Sequence, residues 1–256
     1  SYSTGFRSPQ AYAEDFHVAV VGGERLVTVL APGLTHEKSN SFSGSADMYH
    51  RFGNVQTNLM IEGFYTDLRD VFALRKLDEP DDQGNAVLER YNGSGATVRG
   101  LNAEGRAVFT RWFELQAGVT WQRSRYVEPE YWSEDKTVPP VRRMFRTPDL
   151  YGYFTASLKP LRNFTADVTG TCTGEMLVQH MAGSGVAQDA AVSTPSFFDM
   201  NVRLSYDLRI YKEITLQLYG GVQNLFNAYQ KDFDKGADRD SGYIYGPSLP
   251  RSWFVG

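Results

Sequence analysis

The chain has 256 residues, a formal net charge of -4 and an aromatic content of 14%. Its mean hydropathy is negative, and no run approaches the roughly 18 apolar residues that a membrane-spanning helix needs. Scattered basic residues exclude a nucleic-acid surface. The single cysteine, Cys172, excludes an intrachain disulfide framework and a cysteine-based zinc cluster.

The chain opens with a predicted strand end at residues 1–7, followed by a long connection of mixed character at 8–37. From Ser41, apolar and polar residues alternate, which predicts a strand because successive strand side chains point to opposite faces of a sheet. A tight turn at 51–54 leads to a second strand. That strand has an apolar outward face and a polar inward face interrupted by Met60 and Phe64.

Strands of the same kind continue to the end of the chain. The predicted segments are a weaker strand at 97–109, strands at 113–122, 150–158 and 164–171, a hairpin within 195–229 and a last strand ending at 256. Each strand of the hairpin is about ten residues long, which is enough to cross a bilayer core at a barrel tilt. A large soluble β-sandwich is the alternative for the hairpin alone, although strands in soluble proteins are usually shorter.

The connections favour a transmembrane barrel over that sandwich. Short connections near 52, 110, 161 and 211 alternate with long ones near 8–37, 77–86, 126–146, 178–195 and 227–243. Outer-membrane barrels have this arrangement of loops. The inward faces also carry charges on almost every strand, which a packed soluble core does not accommodate at several kcal/mol per buried charge. We therefore predict an all-β, antiparallel transmembrane β-barrel of about ten strands over residues 1–256.

A small closed barrel of ten strands is a further alternative. Ser1 and Gly256 both lie inside predicted strands, however, so we expect an interior-to-C-terminal piece of a larger barrel.

Several short passages resemble the C-terminal part of the TonB-dependent outer-membrane transporters. They are GVQNLFN at 221–227, PRSWFVG at 250–256, TPDLY at 147–151, and the pair FRSP at 6–9 and APGLTHE at 31–37. In the last of these, Gly33 stands where the family usually has Asp. Together the passages span nearly the whole chain in the family's order.

The resemblance implies the last ten strands of a 22-stranded barrel, with the plug and the segment that contacts the TonB complex preceding Ser1. It implies an outer-membrane location among lipids in a Gram-negative bacterium. It also implies active uptake of haem, cobalamin or a ferric siderophore, bound as substrate and not as a required cofactor. Segments such as TGEMLVQH and TPSFFDMN resemble receptors of the Bacteroidetes group. This resemblance implies that a surface lipoprotein is a partner. A passive porin and a surface-binding barrel are the rival functions.

Three residues are candidates for substrate binding. His17 lies between the two paired motifs, where haem receptors that resemble this chain place an axial iron ligand; its alternative is a packed or solvated loop histidine. Met176 and His180 share a strand face, so both are candidates to contact haem or another metal-bearing ligand. Interface packing is the alternative for this pair.

A group of four carboxylates, Asp232, Asp234, Asp238 and Asp240, crowds one outward loop. Calcium takes several carboxylate oxygens, so this loop is a candidate calcium site. Lys231, Lys235 and Arg239 interleave with the acids, so a solvated charged loop is the alternative. Because the chain contains none of the phosphate-loop, nucleophile-elbow or zinc-protease motifs, we predict that it is not an enzyme.

Overall fold

The computed structural model describes residues 1–9, 26–77, 79–133 and 135–256. No helix in these ranges reaches the length and apolarity that a membrane span requires. The strands are β1 (Tyr2–Arg7), β2 (Leu26–Leu30), β3 (Glu37–Phe52), β4 (Val55–Arg69), β5 (Phe72–Lys76), β6 (Ala86–Asn92), β7 (Ala96–Thr110), β8 (Phe113–Glu130), β9 (Val141–Arg143), β10 (Leu150–Leu161), β11 (Phe164–Thr173), β12 (Leu177–His180), β13 (Ala190–Ser193), β14 (Phe197–Tyr211), β15 (Ile214–Gln223) and β16 (Ser252–Val255).

One antiparallel sheet carries the fold. Ten strands follow one another in the order β1-β3-β4-β7-β8-β10-β11-β14-β15-β16, with β9 paired to β8 at the side. This confirms the predicted all-β antiparallel architecture and the count of about ten strands. Over the described residues the sheet is open, with β1 and β16 at its two edges.

Four connections within this sheet are two-residue turns, at 53–54, 111–112, 162–163 and 212–213, close to the predicted positions. Because antiparallel strands reverse direction at each turn, all four turns lie at one end of the sheet and all the long connections lie at the other. In an outer-membrane barrel the short turns are periplasmic and the long loops are extracellular. This arrangement gives the sheet its orientation.

Four of the long connections contain strands that alternation did not reveal, including β9 in the connection between β8 and β10. β2 pairs in parallel with β6, and β6 pairs with β5, so parts of two separate connections form one small sheet. β12 and β13 form a hairpin inside the connection between β11 and β14. β8 extends to Glu130, beyond the predicted loop boundary near 126.

The register places the apolar faces of neighbouring strands side by side. One cross-strand row runs through seven strands as Ala46, Ile61, Ala103, Val119, Gly152, Cys172 and Phe198. Large apolar side chains along this face are exposed, including Leu59, Leu101 and Leu204. Such exposure suits contact with lipid and would be unfavourable over so large an area in water.

The opposite face is polar and cross-linked by side chains. Asn102 on β7 donates to Glu62 on β4 at 3.0 Å and accepts from Thr120 on β8 at 2.8 Å. Farther along the same strands, Arg106 forms an ion pair with Glu114 at 2.6 Å. These bonds satisfy polar groups that face the lumen and tie neighbouring strands together.

Met60 and Phe64 face the lumen, as the alternation predicted, since they pair with Glu104 and Gly100 on β7. The ring of Phe64 occupies the space beside Gly100, where a Cβ would come within 2.7 Å of it. Phe64 is therefore accommodated by the absence of a side chain on the next strand, whereas Met60 faces Glu104.

Two adjacent residues of β4 test the assignment of faces. We expect Ile61→Arg to lower the free energy of unfolding by about 2–4 kcal/mol, since a cation on the lipid face near the bilayer midplane is costly. Met60→Arg, which makes a comparable change toward the lumen, should have a clearly smaller effect. Equilibrium unfolding of the complete protein in phospholipid measures both, and equal losses would contradict the assignment.

Candidate functional site

The connection between β15 and β16, residues 224–251, is held at its base by a buried asparagine. Asn224 takes a positive φ of 51°, and its Nδ2 donates to the carbonyl oxygens of Ala228 and Leu249 at 3.1 and 3.0 Å. Its Oδ1 accepts from the amide of Ala228 at 2.8 Å. An amide side chain that both donates and accepts, on a residue type that tolerates positive φ, reverses the chain here and closes the base of the loop.

A histidine–aspartate pair joins this loop to the β12–β13 hairpin. His180 Nε2 lies 3.0 Å from both carboxylate oxygens of Asp234, and the imidazole stacks on the ring of Tyr243 at a centroid distance of 3.6 Å. His180 is only 7% exposed. The pair joins two connections that are far apart in sequence, and Gly185 leaves the space that the carboxylate of Asp234 occupies.

Asp240 and Asp232 also bond to named protein groups. Asp240 accepts from the backbone amides of Met181 and Gly242, both at 2.8 Å. Asp232 accepts from the hydroxyls of Tyr245 at 2.6 Å and Tyr243 at 3.2 Å. Burial acts to raise the pKa of Asp232, but the hydrogen bonds from Tyr245, the backbone and Tyr243 outweigh burial and hold that pKa below its usual range.

The interior of the loop is organised by Gln230, which is 1% exposed. Its Nε2 donates to the carbonyl of Tyr243 at 3.0 Å, and its Oε1 accepts from the amide of Tyr245 at 2.8 Å. Arg146, which follows β9, reaches the same segment, because its guanidinium donates to the carbonyls of Gly242 and Ile244 at 2.5 and 2.6 Å. Its φ of 57° is unusual for a residue with a side chain, so the surrounding bonds hold it in a strained conformation.

A cavity of about 750 Å³ with a mixed polar and apolar lining lies against the inward face below this loop. Its wall comes from β4, β7, β8, β10 and β11, and residues 146–148 form its rim at the loop end. The polar lining includes Asn102, Glu104, Thr120, Gln122, Tyr151, Tyr153 and Thr171. Gly118 faces Tyr153 on the next strand, and a Cβ there would come within 2.6 Å of the phenol ring. A cavity of this volume lies in the range that small ligands occupy.

The residues predicted from sequence fall in three places. His17 lies outside the described residues. Met176 lies just before β12, where its amide donates to Thr194 Oγ1 and its carbonyl accepts from the amide of Thr194. His180 and Asp234, predicted for different roles, are brought together. All of these assignments as ligands stay predictions.

Three of the four loop carboxylates accept hydrogen bonds from different groups. Asp232 faces two tyrosines, Asp234 faces His180, and Asp240 faces backbone amides. Among the described residues, no three His, Cys, Asp or Glu side chains lie in an arrangement that could hold a metal ion. The calcium site stays a prediction.

Sequence reasoning missed Arg146, Gln230, Tyr243 and Tyr245. Arg146 directly precedes the recognised passage TPDLY, so its position beside a strand start was a usable signal. The three loop residues belong to a stretch without periodicity, where sequence gives no indication of which side chain turns inward.

Substituting His180 separates its two contacts. His180→Phe keeps a ring against Tyr243 but removes one partner of Asp234, whose carboxylate then keeps the amide of Asp240 at 3.1 Å. His180→Ala removes both contacts of the histidine. We expect amide hydrogen exchange across 230–243 to accelerate roughly tenfold in the first variant and further in the second, because a buried polar group that loses a hydrogen-bond partner costs about 1–3 kcal/mol. Gln179→Ala, one position away on β12, is the matched control. Exchange unchanged in both variants would contradict the role of the pair.

The lowered pKa of Asp232 gives the loop a pH dependence. A group whose pKa is depressed on folding contributes stability above its unfolded pKa, and that contribution disappears as the pH falls through the folded pKa. We therefore expect loop protection to decline at acidic pH. Tyr245→Phe should raise the pKa of Asp232 and move the midpoint of the decline upward. Tyr229→Phe, which keeps the ring beside Lys231, should leave the midpoint unchanged. Amide hydrogen exchange measured over a range of pH values gives the midpoint for each variant.

Comparison with solved structures shows the same fold in outer-membrane receptors. The siderophore receptor PirA of Pseudomonas aeruginosa matches with a TM-score of 0.59 and 14% identity, over 99% of this chain and 37% of that one. The ferric-catecholate import receptor Fiu of E. coli K12 matches with a TM-score of 0.64 and 16% identity, over 99% and 31%. The copper transporter OprC matches with a TM-score of 0.60 and 12% identity, over 99% and 35%.

The chain thus spans about a third of the length of these solved structures. The comparison with curated proteins gave no match. The family model of the TonB-dependent receptor-like β-barrel matches residues 1–225, which is most of the chain. The family consists of outer-membrane transporters that work with TonB and are not enzymes. An amphipathic antiparallel sheet with long loops at one end, together with this match, shows that the chain belongs to the TonB-dependent receptor β-barrel family.

Proposed function

We propose that the protein containing this chain imports an iron chelate across the outer membrane with energy from the TonB complex, and that a ferric siderophore is the substrate. The observation that carries this proposal is the cavity of about 750 Å³ on the lumen wall, whose rim is tied to an extracellular loop by Arg146. A ligand captured by the loops would enter this cavity on its way along the barrel.

The chemistry of the cavity suits an oxygen-rich chelate. Hydroxyls of Tyr151, Tyr153 and Thr171 and the amides of Asn102 and Gln122 are hydrogen-bonding groups on its wall. A ferric siderophore presents several oxygen atoms around the iron, and many carry net negative charge. These neutral groups and the guanidinium of Arg146 are suited to such oxygen atoms. The carboxylate of the lining, Glu104, accepts a hydrogen bond from Gln116 Nε2 at 2.7 Å.

Two similar structures support an iron chelate over other cargo. PirA is described as a siderophore receptor and Fiu as a ferric-catecholate import receptor, whereas OprC is a copper transporter. Haem, with His17, Met176 or His180 as contacts, and cobalamin are the other substrates to test. The proposal has two accessory features. The loop carboxylates bind calcium, and a surface lipoprotein of the Bacteroidetes type is a partner.

A binding panel on the complete purified protein in detergent tests the substrate. Ferric catecholate, ferric hydroxamate, haem and cyanocobalamin are each titrated while tryptophan fluorescence and ligand absorbance are followed. We expect a ferric chelate to bind, and Arg146→Ala to weaken its binding at least tenfold because the rim loses its two bonds to the loop. Arg146→Gly, which accepts the positive φ without strain, separates backbone strain from loss of the guanidinium.

Arg111→Ala, in the short turn at the opposite end of the sheet, is the charge-matched control and should bind normally. A Soret shift with haem that His17→Ala abolishes, without binding of any ferric chelate, would replace the siderophore by haem. Retention of cobalamin alone would replace it by a corrinoid. Uptake of radioactive iron that persists in cells without TonB would indicate passive diffusion and contradict active transport.

A further inference from the structure

A second cavity lies on the other side of the wall, on the face that contacts lipid. It is a groove of about 670 Å³ at the loop end of the sheet, across β3, β4, β7 and β8. Phe42, Tyr65, Leu101 and Trp121 form its apolar sides, and Arg99 and Arg123 lie at its upper end. None of these residues has a role in the transport path, since that path runs through the lumen.

The register assigns the groove to the outward face. Phe42 pairs with Tyr65, Tyr65 with Arg99, and Arg99 with Arg123. One step nearer the turns, Gly44, Gly63, Leu101 and Trp121 form the next row of the same face. Gln122, between Trp121 and Arg123, points to the lumen and lines the inner cavity. The two cavities therefore lie on opposite sides of one wall.

Two adjacent glycines form the floor of the groove. A Cβ on Gly44 would meet nothing within 4 Å, and a Cβ on Gly63 would lie 3.5 Å from Leu101 Cδ2. Neither glycine has the positive φ that would require this residue type. The missing side chains thus leave a slot between aromatic walls whose shape suits an extended acyl chain.

The two arginines carry the charge at the top of this slot. Both are exposed, and no carboxylate among the described residues forms an ion pair with either; Arg123 instead lies 5.9 Å from the ring centroid of Trp121. Arg123 is ten residues beyond Phe113, at the start of β8. At a rise of about 3.3 Å per residue and a barrel tilt near 40°, this places it about 25 Å above the turns, at the edge of the apolar band.

We propose that this groove binds a phosphorylated lipid of the outer leaflet, with an acyl chain in the glycine slot and a phosphate between Arg99 and Arg123. Guanidinium groups bind phosphate through paired hydrogen bonds, and two of them at headgroup height complement an anionic amphiphile. The long loops place this end of the sheet at the outer leaflet, whose lipid is the phosphorylated glycolipid of lipopolysaccharide. Its lipid A portion is the occupant we assign.

Native mass spectrometry of the complete protein in detergent tests the site, with bisphosphorylated lipid A as the probe. We expect the double variant Arg99→Gln, Arg123→Gln to lower the bound fraction at least tenfold. Gly44→Val, whose Cβ would meet nothing within 4 Å, should lower it by filling the slot that holds the acyl chain. Arg111→Gln, which removes a guanidinium in a short turn, should bind as the unmodified protein does.

The difference in gel mobility between heated and unheated samples, together with the melting temperature, shows whether each variant folds as a barrel. Dephosphorylated lipid A should bind at least tenfold more weakly to the unmodified protein. Equal binding of the dephosphorylated lipid, or full retention of lipid A by the folded double variant, would overturn the proposal. Equal binding of phosphatidylglycerol would overturn the assignment to lipid A, and displacement of lipid A by millimolar inorganic phosphate would reduce the site to a free-phosphate site.

Discussion

The whole structure depends on pairing backbone polar groups in a medium that offers them no water. In the apolar band of a membrane an unsatisfied N–H or C=O costs several kcal/mol, so a strand must pair along both edges. Strands β3, β4, β7, β8, β10, β11, β14 and β15 each have a partner on both sides in one continuous antiparallel ladder. Once the strand pairing is fixed, each side chain can point to only one of the two faces of the sheet. Lipid contact and lumen contact are thereby separated residue by residue.

This separation lets one wall carry two unrelated surfaces. Trp121 and Arg123 face lipid, whereas Gln122 between them faces the lumen cavity. A slip of one residue in the register would exchange the two faces and bring the polar network of Glu62, Asn102 and Thr120 into lipid. The side-chain hydrogen bonds across the lumen face therefore reinforce the register that the backbone ladder defines.

The loop end of the sheet is organised differently, because water can satisfy backbone polar groups there and the chain need not form one continuous sheet. Its order comes from a few polar contacts between segments distant in sequence. His180 with Asp234, Gln230 with the backbone of residues 243–246, and Arg146 with residues 242 and 244 are the main examples. Such contacts are specific but few, so loops of this kind can differ in sequence above a common barrel.

Much of the barrel wall was determined by the sequence itself. Period-two alternation, for instance along 197–223, identifies strands and assigns faces without knowledge of partners, because strand geometry is local. The alternation also predicted the positions of the four tight turns and the inward orientation of the apolar residues Met60 and Phe64. Only the tertiary structure decided that β2 joins β6 in parallel, that Arg146 meets residues 242–244, and that His180 meets Asp234. These contacts depend on how separate loops fold over one another, and no local periodicity encodes that choice.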